Sequence, residues 1–409
     1  MKILFICHRF PYPPECGARI RPFNMIRWLS TKHQVTVASV ARSPQELAKG
    51  KGISQFCQGY EVELISPIRA WLQALGCTLS SKPSSLGYFY VPQLHKKIQG
   101  LLKNEQFDLI WVHCSSVAQY VFDFADCPRV MDFTDMDSEK WFQYARHRTF
   151  PISLLYLLEA LKLRRYEKKL AIAFNECTVI SPGERKTLES YGLQVPVTVV
   201  PNGVDLDFFT NTREGYDSRS LIFLGRMNYY PNIDAVSYFC RHVLPRIQRE
   251  IPEAQLVILG SNPVRRVRNL TRLPGVTVTG AVPDVRPYLQ RAAVSVVPLR
   301  VASGIQNKVL ESMAMKVPVV ASSPAFQGVN ALEGEHLLVD DSADGFATKV
   351  LSLMKNPSLR QQIAEAGRKR IESCYSWEAC LQVLDSLLEP LTLRAMGQGK
   401  AGSSVSVCS

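Results

Sequence analysis

Three short stretches of this chain carry residue types and spacings that suit the binding of a phosphorylated, polyhydroxylated ligand. The densest runs Pro298-Leu299-Arg300, then Ser303-Gly304, then Lys308 and Glu311. A Ser-Gly turn that opens a helix presents backbone N–H groups with no intrahelical acceptor, which is an anion site. Lys308 and Glu311 are three residues apart and share a helix face. A carboxylate there could accept hydrogen bonds from both hydroxyls of a ribose. The same spacing also describes an ordinary solvent-exposed ion pair. The second stretch is Phe223-Leu224-Gly225-Arg226-Met227, a strand that ends in Gly and then Arg. The planar fork of Arg226 suits a diphosphate, or Arg226 is a plain surface arginine. The third is the loop from His8 to Arg19, with Gly17 where a strand turns into a helix. Gly17 would let backbone approach an anion. One glycine is no dinucleotide fingerprint, and a plain loop closed by Gly17 explains it equally well. His113 ends the run Asp108–Val112, where a hydrogen-bonded strand end is the plain reading.

These residues need a scaffold that collects strand ends, and the pattern supplies one. Short apolar runs alternate with helical periodicity, as in parallel α/β proteins. Strands are expected at Ile3–Cys7, Val35–Val40, Val62–Ser66, Leu109–His113, Val130–Phe133, Cys177–Ile180 and Val197–Val200. A second set is expected at Leu221–Leu224, Gln255–Leu259, Val276–Thr279, Val294–Pro298, Val317–Ala321 and Leu337–Val339. Helices are expected at Gly17–Leu29, after Thr149, and at Ile233–Ile247, Val285–Arg291, Ile305–Met315 and Ala343–Met354. The strands run into Gly, Pro, Ser or Asn at their C-terminal ends, the edge where open α/β sheets bind ligands. Pro201-Asn202-Gly203 signals a turn, and the polar run Thr210–Arg219 is expected to be a linker between two domains. A Gly/Ser-rich tail from about Leu391 to Ser409 is expected to be disordered.

The bulk numbers fit. A chain of 409 residues exceeds one ordinary core. Its net charge of +12 favours an anionic partner, and nucleic acid is set aside because the charge is dispersed and no nucleic-acid-binding motif is present. None of the 11 cysteines has Cys-x-x-Cys spacing, which argues against a zinc or redox pair. The apolar start Ile3–Cys7 lacks a leader's length and cleavage site, so it is taken as a first strand.

Together these stretches resemble the family 4 glycosyltransferases. The resemblance is carried by Gly225-Arg226, Ser303-Gly304, Lys308, Glu311 and the following Ser-Met-Ala-Met and Pro-Val-Val-Ala, with Pro201–Asp205 and Gly280–Arg286 in collinear order. Gly304–Glu311 and Val130–Trp141 are similar in style to the sugar transferases of PEP-CTERM/exosortase exopolysaccharide systems.

The resemblance implies a GT-B fold, with two Rossmann-like domains facing across a cleft and a C-terminal helix crossing back to the first. The acceptor domain would be 1–202, with 372–390 packed on it, and the donor domain 203–371. It implies a retaining, metal-independent transfer from a nucleotide-sugar, which is substrate rather than cofactor, to a glycan or lipid-linked acceptor on the cytoplasmic side. Gly17, Gly225, Arg226, Ser303, Gly304, Lys308 and Glu311 would bind donor, with Glu311 on the ribose and Arg226 on the diphosphate. His113 would stand near the transferred sugar, with Arg226 and Lys308 stabilising the departing phosphate.

Two departures matter. The family's first Glu falls at Ser303, and the Lys that usually follows Gly-Arg is absent from Asn228–Asn232, so Lys308 is expected to supply that charge. Asp135-Met136-Asp137 has the spacing of a metal-binding Asp-x-Asp, but the rest of the chain does not resemble the fold that uses it. Asp132 and Asp135 are instead expected to line the acceptor side or cap the next helix. The run Phe150–Lys169, apolar then basic, suits either an anionic membrane surface or a packed helix with a solvated end. A nucleotide-sugar epimerase and a non-catalytic sugar-nucleotide binder remain as alternatives, the latter favoured by Ser303 in place of Glu.

Overall fold

A computed structural model describes residues 1–401 except 16, 147, 212–214 and 303, with the backbone alone for 392–401. The chain divides into two units, the first Met1–Val200 together with the segment from Leu381 onward, the second Pro201–Cys380.

In the first unit the apolar runs become β1 (Lys2–Cys7), β2 (Gln34–Ala41), β3 (Gly59–Leu64), β4 (Leu109–His113), β5 (Arg129–Thr134), β6 (Glu176–Val179) and β7 (Val197–Val199). They form one sheet in the order β3-β2-β1-β4-β5-β6-β7, and every pair is parallel. Ile3 to Cys7 have no exposed surface, as expected for a strand covered by helices on both faces. Strand order reverses beside β1, which has β2 on one side and β4 on the other. Ligands of open α/β sheets bind at such switch points. Register brings Cys7 beside His113, and His113 beside Asp132, so three strand ends meet there.

The second unit repeats the plan. Its strands β8 (Asp217–Leu224), β9 (Gln255–Leu259), β10 (Val276–Gly280), β11 (Ala292–Val297), β12 (Val319–Ala321) and β13 (Leu338–Val339) lie in the order β10-β9-β8-β11-β12-β13, again all parallel. The switch point falls between β8 and β11. Gly225 follows one of these strands and the stretch from Pro298 follows the other.

Several boundaries differ from the sequence reading. Asp217–Arg219, expected in the linker, opens β8, and 212–214 lie outside the described residues. The third strand starts earlier, at Gly59, and ends at Leu64, since Ser66-Pro67 begins a helix instead. The expected helix Ile233–Ile247 is three pieces, Tyr230–Tyr238, a one-turn π segment Phe239–Val243 and Leu244–Glu250. Pro245 has no N–H for the carbonyl four residues back, and the turn before it widens. Residues 372–380 stay with the second unit rather than the first. Tyr375 accepts a hydrogen bond from the Val204 amide at 2.7 Å, and Cys380 belongs to the second unit's core. Where a disordered tail is expected from Leu391, the helix Trp377–Ala401 continues, carried by buried Leu384, Leu387, Leu388 and Leu391 at helical spacing. Residues 402–409 are outside the described residues.

Candidate functional site

At the second unit's switch point, Gly225 is fixed by its surroundings. Its amide donates to the Leu259 carbonyl at 3.0 Å, and a Cβ on it would stand 2.6 Å from Asn232 Nδ2. Gly260, at φ +156°, would place a Cβ 1.6 Å from the Gly225 carbonyl oxygen. Glycine is therefore required twice for these loops to close on one another. Asn232 occupies the space so made. Its Nδ2 donates to the Arg226 carbonyl at 3.0 Å, and its Oδ1 accepts from Lys308 Nζ at 2.5 Å. Lys308 also lies 4.6 Å from the centre of the Phe223 ring. In the sequence Asn232 stands out only as part of a stretch that lacks lysine. Its signal was the tight Gly225 spacing, which becomes visible only in three dimensions.

Lys308 and Glu311 share the helix Asn307–Ala314 and are only partly exposed. Loss of surrounding water dominates both. It pushes Lys308 down to about 7, an effect that Glu311 opposes. It pushes Glu311 up to about 7, an effect that Lys308 opposes. The two form no ion pair, so the surface-pair alternative does not describe them. Among the described residues, the Glu311 carboxylate and the exposed Arg226 guanidinium have no hydrogen-bond or ion-pair partner. Neither do the backbone N–H groups of Gly304 and Ile305. Gly304 sits at φ +62°, and Ser303 lies outside the described residues. Arg300 is different. It grips Asp234 with two bonds of 2.8 and 2.6 Å and leans on Tyr238, so its charge is neutralised.

The first unit's switch point is built around Asp132, which has no exposed surface. Its two oxygens accept from Arg21 Nε at 3.2 Å, Arg21 Nη2 at 2.9 Å and Thr178 Oγ1 at 2.8 Å, and contact His113 Nδ1 at 2.7 Å. Arg21 also donates to the Val200 carbonyl at 2.7 Å. Burial alone would raise the pKa of Asp132, but the Arg21 guanidinium and His113 hold it well below the usual carboxylate range. An ionised carboxylate only accepts, so His113 carries its proton on Nδ1, and in the neutral ring Nε2 is left with a lone pair. His8 stacks on His113 at 5.6 Å and meets Phe89 edge-on. Burial, then the neighbouring His113 and Arg42, push His8 well below its ordinary value, so its ring is neutral. Backbone strain collects here, with Cys114 at φ 84° and Thr134 at φ 62°.

Asp132, expected to line the acceptor side or cap the next helix, instead has no exposed surface. It stands behind His113 and sets that ring's tautomer. Asp135 is exposed, two residues ahead of the helix Asp137–Arg146, and does not cap it. Crowding around it and then the Asp137 charge push it up to about 6, the like charge being the part that survives solvent contact. Gly17 opens the helix Gly17–Leu29, from which Arg21 reaches Asp132. In the sequence Arg21 is one arginine among several in this helix, and its signal is a charge between apolar neighbours on a core-facing turn. Among the described residues no group of three His, Cys, Asp or Glu side chains could hold a metal ion.

The second unit can hold an anion and a polyol side by side, and the first presents an oriented imidazole. Comparison with known proteins gives the family and the fold. The model of glycosyltransferase family 4 matches residues 17–208, and that of glycosyl transferases group 1 matches residues 218–356, most of the chain between them. An uncharacterised protein of the cps region of Klebsiella pneumoniae is 20% identical over 89% of this chain and 93% of its own length. The capsular polysaccharide biosynthesis glycosyltransferase CapM of Staphylococcus aureus is 27% identical over 32% of this chain and 34% of its own. Anabaena HepE in complex with UDP superposes with a TM-score of 0.67 at 16% identity, over 95% of this chain and all of that one. Two parallel α/β units of this topology, matched along most of their length by these two models, place the chain in glycosyltransferase family 4, with the GT-B fold.

Proposed function

We propose that this glycosyltransferase moves a sugar from a nucleoside-diphosphate sugar to a hydroxyl of a glycan or lipid-linked glycan during cell-surface polysaccharide synthesis, with retention at the anomeric carbon and without a metal. The carrying observation is the set of unsatisfied groups at the β8/β11 switch point. Arg226, the Gly304 and Ile305 amides and Lys308 suit a diphosphate, and Glu311 stands one helical turn from Lys308, where it suits the attached ribose. The relatives favour the same substrates, since HepE has also been crystallised with UDP-glucose and CapM is named for capsular polysaccharide.

In the reaction the anomeric C–O bond to phosphate breaks and the acceptor oxygen bonds to that carbon on the same face. The acceptor proton passes to the departing phosphate oxygen. Arg226 and Lys308 hold the charge that develops there. His113 Nε2 and Gly17 are proposed for the transferred sugar and its phosphate, with Asp132 keeping His113 in the required tautomer. Melting the protein against a panel of nucleotide-sugars tests this reading, because a true donor raises the melting temperature by mass action. One base and sugar should stabilise the wild type and fail to stabilise Arg226→Ala or Glu311→Ala. No stabilisation by any nucleotide-sugar would overturn it, and NMR of the product anomer checks retention.

A further inference from the structure

The helix Pro67–Thr78 is built inside out. Its buried residues are the small Ala70 and Ala74, while Ile68, Trp71, Leu72 and Leu75 face water, with Trp71 68% and Leu72 64% exposed. Leu79, just beyond its end, is 96% exposed. A helix that used its apolar face for the core would show the reverse. The helix Ile152–Ala173 does the same over its first half, exposing Leu154, Leu155, Leu158 and Leu161, and Phe150 ahead of it is 79% exposed.

The two helices are tied together. Lys162 Nζ donates to the Cys77 and Thr78 carbonyls at 3.0 and 2.9 Å, capping one helix from the other. Glu159 accepts from the Ser84 amide and hydroxyl, both at 2.7 Å, and so anchors the short helix Ser84–Phe89. That helix packs so closely on the first that a Cβ at Gly87 would stand 2.6 Å from the Gln73 backbone. Scattered exposed leucines need no explanation, but a connected set of this size marks an interaction surface.

Charge says what it meets. Residues 64–82 contain Arg69 and Lys82 and no Asp or Glu. Residues 140–158 contain Lys140, Arg146 and Arg148 and again no Asp or Glu. The adjoining carboxylates are all paired, Glu159 with Ser84, Glu63 with Lys97 and Glu139 with Arg164. An apolar centre with a rim of one sign suits a surface that is apolar below and anionic above. A second copy of this chain would set Arg69, Arg146 and Arg148 against their own kind. The basic end of Phe150–Lys169 contributes less than its sequence implies. Lys162 is committed to backbone carbonyls, and Arg164 is committed to Glu139 at 2.5 Å and to the Phe142 ring.

We propose that this two-helix face docks the protein on an anionic lipid bilayer, with Trp71, Leu72, Leu75 and Leu155 at the acyl boundary and Arg69, Lys82, Arg146 and Arg148 among the headgroups. The inference goes beyond the donor site and does not depend on it. Its test is flotation of the full chain with phosphatidylcholine vesicles, with and without about one-third phosphatidylglycerol, alongside tryptophan fluorescence. Anionic vesicles should bind at least about tenfold more tightly than neutral ones, and salt should weaken this. Trp71 emission should shift to the blue, and Trp71→Phe should remove that shift. Leu72→Glu/Leu155→Glu should lose about tenfold or more in binding with an unchanged melting temperature, since both sites are exposed. Arg69→Gln/Lys82→Gln/Arg146→Gln/Arg148→Gln should keep the fold and lose the preference for anionic lipid. Absence of flotation, or flotation indifferent to both variants, overturns the proposal. So does a concentration-dependent dimer abolished by Leu72→Glu/Leu155→Glu in a protein that ignores vesicles. Melting the same samples with the nucleotide-sugar panel separates failure of this proposal from failure of the donor reading.

Discussion

Replacing Arg21 by Met should cost the first unit much of its stability, and the loss should depend on pH in a defined direction. Arg21 donates twice to Asp132 and once to the Val200 carbonyl. Without it the wholly buried Asp132 keeps only Thr178 and His113. Breaking a buried pair by removing one partner costs about 3–5 kcal/mol, which lowers the melting temperature of a unit this size by roughly 6–20 °C. In the wild type, Arg21 holds the Asp132 pKa below its unfolded value. That stabilisation is present above the ordinary carboxylate range and fades as pH falls through it. In the variant, burial prevails and the pKa rises above the unfolded value, so the folded state binds the extra proton. The deficit relative to wild type should therefore be widest near neutral pH and narrow toward pH of about 4. Calorimetry at several pH values, following the transition that moves, measures this. Asp132→Asn placed on Arg21→Met should recover more than half the loss, because the uncompensated charge is gone. A single variant that melts within about 2 °C of wild type, or a double variant whose losses simply add, would refute the reasoning.

Other outcomes follow from the second unit. Glu311→Gln should keep the fold and lower kcat/KM for donor hydrolysis or transfer by roughly 10- to 100-fold, the scale of a hydrogen bond to a charged group. Gly225→Ala drives a methyl into Asn232 and frees Lys308. Donor affinity should fall about tenfold in titration calorimetry, and Asn232→Ala should show a similar loss without the backbone strain. The Lys308–Glu311 pair also predicts a pH profile. Lys308 is pushed down, so the unfolded state binds more protons from about 7 upward, and stability rises with pH there. Glu311 is pushed up, so the folded state binds more protons below about 7, and stability rises as pH falls. Urea titrations should show a shallow minimum near neutrality that Lys308→Met/Glu311→Gln removes; superimposable profiles would contradict the assignment.

The strands were legible because a parallel sheet covered on both faces needs continuous apolar runs, and runs such as Ile3–Cys7 and Leu109–His113 have no other use. Helix starts were legible in principle through proline. Pro44, Pro67, Pro92, Pro182 and Pro357 each open a helix, and Ser43 and Ser181 cap theirs through Glu46 and Glu184 amides. What could not be read were the partners of buried charge. Arg21 and Asp132 are 111 residues apart, and Asn232 and Lys308 are 76 apart. Only strand order brings them together, and no local periodicity encodes it. Apolar residues on the helices Pro67–Thr78 and Ile152–Ala173 misled for the opposite reason, since pattern alone does not say which face is inward.

The two switch points share a topology and differ in how completely their charges are satisfied, and this difference separates scaffold from binding surface. Asp132 has four contacts within the fold and no exposed surface, so a ligand could add nothing to it except through His113. Its energy is already spent on the tautomer of that ring. Lys308 has a single amide oxygen, and Glu311 and Arg226 have no partner within the described residues. The second unit therefore bears a desolvation cost in the absence of ligand that folding alone does not repay. A diphosphate beside Lys308 and Arg226 and a diol beside Glu311 would lift that cost, drawing Lys308 back toward its charged form and Glu311 toward its own. Donor binding near pH 7 should then take up a proton through Lys308 and release one through Glu311. Calorimetry in buffers of different ionisation enthalpy should find a small net exchange in the wild type, clear uptake in Glu311→Gln and clear release in Lys308→Met. Equal exchange in all three would mean that these two groups do not face the bound ligand.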